Sequence, residues 1–203
     1  MTPTPPPSPV VFSDRMRQLF ARVTSAAGQR VHQMGVHPDA ITIAGLIVVT
    51  LGGVAIAAGQ FLLAFLLLLL SLPLDALDGA VARAMGRKDR RGAVLDSTLD
   101  RFADSFIFMG FAYYFALRDD FLLMSVAMLG MIGTFGVSYV RARAGEADLS
   151  VKIGVFSRLE RIVVMLAMTL IPALVPIGLW VLAAGTIFTT LQRLAYVYRH
   201  LDR

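Results

Sequence analysis

Long apolar runs alternate with short polar connectors along most of this chain. The runs fall at about 40–58, 61–83, 93–117, 121–142, 159–175 and 177–197. Each approaches the roughly 20 residues that an α-helix needs to cross a bilayer. Before them, Phe12, Met16, Leu19, Phe20, Val23, Ala27, Val31 and Met34 recur at helical spacing, with Arg15, Arg17, Arg22 and Arg30 at other positions. That pattern predicts a basic amphipathic helix on an anionic membrane surface, with Ser13 as its N-cap. Gly35 and Pro38 end it. The predicted fold is an all-α integral membrane protein with six transmembrane helices behind an N-terminal amphipathic interfacial helix. Residues 1–11 form a proline-rich tail with little to bury. Residues 12–34 form the juxtamembrane helix, and 35–203 the six-helix transmembrane domain.

Composition agrees. Hydrophobic residues make up 57% of the 203 and charged residues only 16%, whereas a soluble domain has about a quarter charged. Cysteine is absent, which excludes disulfides and thiolate metal sites. The first apolar run follows a long polar segment, unlike a cleavable signal peptide. The connectors "AAGQ", "RDD" and "PALVP" hold almost no basic residues, while the segments at 83–91, 141–161 and 193–203 hold most of them. The positive-inside rule then puts both termini and both long basic loops in the cytoplasm, in a multi-pass protein of the cell membrane. The net charge of +5 reads as topology signal, with no nucleic-acid partner.

One stretch breaks the apolar pattern. "DALDGAVARAMGRKDRRGAVLDSTLD" carries Asp75, Asp78, Asp96 and Asp100 into the cytoplasmic ends of the second and third spans. Asp75 and Asp78 are three apart, and Asp96 and Asp100 four apart, so each pair shares a helix face. Asp104 continues the second face. A short connector makes these helices antiparallel neighbours whose acidic faces can meet. Carboxylates that close repel strongly, and burying them is costly unless something pairs them. Divalent cations resolve the conflict, and four carboxylates suffice to hold two Mg²⁺ or Mn²⁺ ions. Neutralisation by Arg83, Arg90, Arg91 and Arg101 is the simpler alternative. Gly79 and Gly92 permit close approach of a ligand, and Gly92 opens a helix whose N–H groups favour phosphate.

The stretch fits D-x2-D-G-x2-A-R-x8-G-x3-D-x3-D in full, through Asp75, Asp78, Gly79, Ala82, Arg83, Gly92, Asp96 and Asp100. It resembles the signature of the CDP-alcohol phosphotransferases, and "HPDAIT" at 37–42 resembles that family's entrance to its first span. The resemblance implies transfer of a phosphatidyl group from CDP-diacylglycerol to an acceptor hydroxyl, with release of CMP. It implies two metal ions on Asp75, Asp78, Asp96 and Asp100, with Asp100 also the catalytic base. Asp39, Ala40, Ile41, Thr42, Gly79 and Arg83 are implied to hold CDP-diacylglycerol, and a homodimer in the bilayer is implied too. The family often has Thr or Ser where this chain has Asp89. An ionised acid donates no hydrogen bond to phosphate, so Asp89 is outside the expected site.

The acceptor reading rests on the second basic segment. Arg141, Arg143, Lys152, Arg158 and Arg161, with Arg193 in "LQRL", lie at one membrane depth. Converging guanidinium groups suit a dianionic phosphate, so a phosphorylated polyol is expected. "SYVRARA" and "SRLERI" resemble the phosphatidylinositol-phosphate synthase versions of these helix ends, with Arg141 for the usual Lys and Ser157 and Leu159 for Glu and Pro. Ser138, Arg141, Arg161 and Arg193 are implied to hold inositol 1-phosphate. Glycerol 3-phosphate, or an archaeal-type lipid donor, is the alternative within the family. A divalent-cation transporter is the remote one, since its acids would run through the bilayer rather than cluster at one end.

Overall fold

The computed structural model describes residues 24–86 and 90–201. Seven helices lie in that range: α1 (24–33), α2 (Pro38–Ala57), α3 (Phe61–Ala84), α4 (Arg90–Ala116), α5 (Phe121–Glu146), α6 (Arg158–Leu170) and α7 (Val175–His200). A 3₁₀ turn at Pro172–Leu174 joins the last two. Residues 12–23 of the expected amphipathic helix, the proline-rich tail and Asp89 lie outside the described residues.

Local chemistry sets the boundaries. His37 caps α2 by accepting the Asp39 N–H at its ring, and Pro38 occupies the first turn, where no N–H is needed. Asp39 adds negative charge at the same positive helix end. Gly59, at φ 76°, supplies the left-handed residue that turns the chain from α2 into α3. Asp120 accepts the Leu123 N–H and starts α5. The Ser157 hydroxyl contacts the Glu160 carboxylate in the first turn of α6. That helix stops at Leu170 because Ile171 precedes a proline and adopts extended backbone.

Helix α2 packs on α3 and α4, α5 on α4 and α7, and α6 bridges α3 and α7. The core joins Ile56, Phe108, Phe111, Met165, Leu179 and Leu182. Glycine lets two of these helices meet backbone to backbone. A Cβ on Gly53 of α2 would stand 2.5 Å from the Phe106 carbonyl oxygen of α4, and one on Gly110 would fall on the Gly53 carbonyl. Gly28 of α1 is buried against Ala80 of α3, where a Cβ would come within 2.8 Å of the alanine Cβ. Helix α1 thus packs on α3 near the second aspartate.

Among the described residues, four helical segments are long and apolar enough to cross a membrane: Pro38–Ala57, Phe61–Ala84, Phe121–Glu146 and Pro172–His200. They make the chain a membrane protein. The sequence predicts six spans. The other two correspond to α4 and α6, and each falls short for its own reason. Helix α4 has the length but carries Asp96, Asp100, Arg101 and Asp104 in its first half, and α6 has only 13 residues. Ile47, Leu51, Leu66, Leu70, Phe135 and Trp180 face outward from the apolar four, as lipid contact requires.

Candidate active site

The acidic faces of α3 and α4 meet. Carboxylate oxygens of Asp75, Asp78 and Asp96 all lie within 4.8 Å of one another. Asp78 is the buried member, at 7% exposure, and it has a partner on a third helix. The Thr42 hydroxyl of α2 stands 2.8 Å from Asp78 Oδ2 and 3.1 Å from the Pro38 carbonyl. It has one proton and donates to one of them at a time. Three hard oxygen ligands at this separation fit a small divalent cation. Asp100, expected as the fourth ligand, faces another way: its Oδ1 is 2.7 Å from Nη2 of Arg158.

Two cavities flank these carboxylates. One opens between the start of α2, the end of α3 and the start of α4, where Asp39, Thr42, Asp78, Gly79, Gly92 and Asp96 line it. Three of the residues expected to hold the nucleotide therefore meet in one place. Ala82 and Ala93 complete that wall with small side chains. The Arg83 guanidinium stands over Gly79, 3.3 Å from where a Cβ would be. Ala40 is exposed and outside the lining, and Ile41 faces the second cavity. That cavity lies between α2, α3, α4 and α6. Asp75, Asp100 and Arg158 line it together with apolar residues such as Val49, Leu68 and Met165. Thr42 and Asp78 border both cavities.

The sequence groups Arg158 with the other cations of the second basic segment and assigns it no role of its own. In the structure it spans the carboxylate centre, with Nη1 3.2 Å from Asp75 Oδ2 and Nη2 reaching Asp100. Its i, i+3 spacing from Arg161 in "SRLERI" was the available signal, since it puts both guanidinium groups on one face of α6. The arginines nearer in sequence do not take this place. Arg101 donates to the Ser97 carbonyl, and Arg91 is exposed.

The four residues expected to hold the acceptor phosphate sit at the ends of α5, α6 and α7. Arg161, 3% exposed, pairs with Asp104 at 2.9 Å, and its Nε is buried with no acceptor. Asp104, which continued the acidic face in the sequence, is thus the counter-ion of α6. Arg193, 4% exposed, donates from Nε to the Ile153 carbonyl at 2.9 Å and from Nη1 to the Val137 carbonyl at 2.7 Å. Arg141 is exposed and Ser138 half-buried. Arg141 and Arg161 lie close enough for their charges to act on Arg193. Neither Arg141 nor Arg193 has a carboxylate partner among the described residues.

Residues 35–191 match the model of the CDP-alcohol phosphatidyltransferase family. The chain is 34% identical over 210 residues to a phosphatidylinositol phosphate synthase of Streptomyces avermitilis, covering 97% of this chain and 86% of that one. It is 35% identical over 176 residues to an archaetidylinositol phosphate synthase of Pyrococcus horikoshii, covering 86% and 90%. Its fold is similar to crystal structures of the Mycobacterium tuberculosis phosphatidylinositol phosphate synthase, at 29% identity. The form with CDP-DAG bound gives a TM-score of 0.82 over 87% of this chain and 94% of that one. The form with manganese and citrate gives 0.80 over 86% and 88%. The aspartate signature, the helix order that brings its two halves together and these likenesses agree: this chain is an enzyme of the CDP-alcohol phosphatidyltransferase family.

Proposed function

We propose that the protein transfers the phosphatidyl group of CDP-diacylglycerol to inositol 1-phosphate at the cytoplasmic face of the membrane. Helices α4 and α6 cross with the apolar four in this reading, making six spans. Their outward side chains, Met109, Tyr113, Val163 and Leu170 among them, support it. The observation that carries the acceptor assignment is Arg193, a buried cation with two like charges near it and no acid beside it among the described residues. Of these three neighbouring guanidinium groups only Arg161 has a carboxylate partner among the described residues, and a dianionic phosphate would balance the others. The orphaned Nε of Arg161 is a donor ready for the same anion. Among the relatives described above, synthases named for either lipid donor share an inositol phosphate product, so this acceptor draws support from both. The lipid donor draws it from the CDP-DAG-bound structure alone.

In this mechanism the polar cavity receives cytidine diphosphate, with Arg83 and the N-terminus of α4 facing its charge. The apolar cavity lies deeper, where hydrocarbon enters from the bilayer. Asp75, Asp78 and Asp96 would hold a divalent ion, and Asp100 would join them for a second. Magnesium or manganese at that position neutralises the pyrophosphate and the departing CMP. The Arg141–Arg161–Arg193 group seats the acceptor phosphate, and Ser138 adds a hydroxyl. Asp100 takes the proton of the acceptor hydroxyl as its oxygen bonds to the lipid phosphorus. The phosphorus–oxygen bond to CMP breaks.

Arg193→Ala tests the acceptor assignment. The KM for inositol 1-phosphate is expected to rise about ten- to hundred-fold, the size of one charge-assisted contact. The KM for CDP-diacylglycerol should stay within about two-fold, as expected of residues with no shared ligand. Arg193→Lys should recover only part of the loss, because an ammonium lacks the planar fork. Unchanged acceptor kinetics in Arg193→Ala would reduce these arginines to topology determinants.

A further inference from the structure

Two ion pairs connect α6 to α4 one turn apart: Arg158 with Asp100, and Arg161 with Asp104. Their burial differs. The Arg161 and Asp104 side chains are 4% and 11% exposed, those of Arg158 and Asp100 39% and 18%. Separating a buried pair strands a charge out of water, whereas a pair at a cavity mouth can exchange partners. The inner pair is therefore a fixed anchor and the outer one a movable arm. The arm meets both oxygens of Asp75, at 3.2 and 3.3 Å, and one of Asp100. Its Nε is buried with no acceptor, so the clamped arrangement leaves one donor unsatisfied.

We propose that Arg158 is a positioning residue that competes with divalent cations for Asp75 and Asp100. The guanidinium uses the same lone pairs a metal ion needs. Its positive charge beside those oxygens also opposes a cation, so metal entry at that edge favours release of Arg158 while Arg161–Asp104 keeps α6 in place. While clamped, Arg158 ties Asp100 to Asp75 through one guanidinium. The inference rests on the carboxylate centre being the metal site.

Mn²⁺ binding to the full chain in detergent, followed by electron paramagnetic resonance, tests it without turnover. Removing a unit charge beside a metal strengthens binding, so Arg158→Gln is expected to bind Mn²⁺ about ten-fold or more tightly than the unaltered chain. CMP release should nonetheless fall, because Asp100 loses its positioning. Tighter metal with slower chemistry is a signature that simple loss of structure does not give. Arg158→Lys keeps the charge but cannot bridge both carboxylates, and should lie between the two. If Arg158→Gln does not fold, Arg158→Lys decides, with tighter binding in support. Unchanged or weaker Mn²⁺ binding in a folded variant overturns the inference. Asp78→Asn separates the two levels: if it binds Mn²⁺ like the unaltered chain, the metal centre itself is misassigned and the competition falls with it. If it loses Mn²⁺ while Arg158→Gln matches the unaltered chain, only the role of Arg158 falls.

Discussion

The Thr42 hydroxyl lies 2.8 Å from Oδ2 of Asp78, and these two residues border both cavities of the site. Thirty-six positions separate them in the chain. The contact ties the first turns of α2 to the most buried carboxylate of the centre. It joins the HPDAIT segment to the aspartate motif.

Thr42→Val keeps the shape and removes the hydrogen bond. A hydrogen bond to a charged group contributes about 1.5–3 kcal/mol, so Asp78 should be held less well and the KM for CDP-diacylglycerol should rise about ten-fold or more. Thermal stability should fall as well, since Asp78 is buried and loses a donor. Unchanged KM would mean that Asp78 is oriented by its own helix alone.

Asp100→Asn addresses the base. General-base loss costs about 10²–10⁴-fold in rate, so kcat is expected to fall by that order while KM for CDP-diacylglycerol moves far less. Single-turnover CMP release and nucleotide binding, measured on the same preparation, separate the two. Matching losses in binding and rate would make Asp100 a ligand or a structural group only.

The helices of this fold were legible because lipid and water impose opposite patterns on one chain. The predicted spans match α2 to α7 to within a few residues, and the aspartate motif marked the two faces that meet. Ion pairing was less legible. Arg158 and Asp75 lie 83 positions apart, and no local spacing tells which of the five cations at 141–161 will cross to an acid. Asp104 was read as more of the acidic face, yet its partner is Arg161 on another helix. Span number was less legible than helix number, because charged residues at the site and a proline break subtract from the apolar length of α4 and α6.

Gly53 and Gly110 test the packing that holds the motif helices in register. Gly110→Leu inserts a side chain where the Gly53 carbonyl already sits. Overpacking of this kind costs about 1–3 kcal/mol or more. The unfolding temperature in detergent should drop, and activity should fall with it even though the site is a separate region of α4. A variant as stable as the unaltered chain would show that α2 and α4 can separate freely.

The most direct measurement is CMP release by the purified protein with CDP-diacylglycerol and Mg²⁺, across inositol 1-phosphate, free inositol, glycerol 3-phosphate and serine. The arginine group at the ends of α5, α6 and α7 predicts metal-dependent release with inositol 1-phosphate far above the other three. Release driven by free inositol or serine, with no gain from the phosphate, would contradict it.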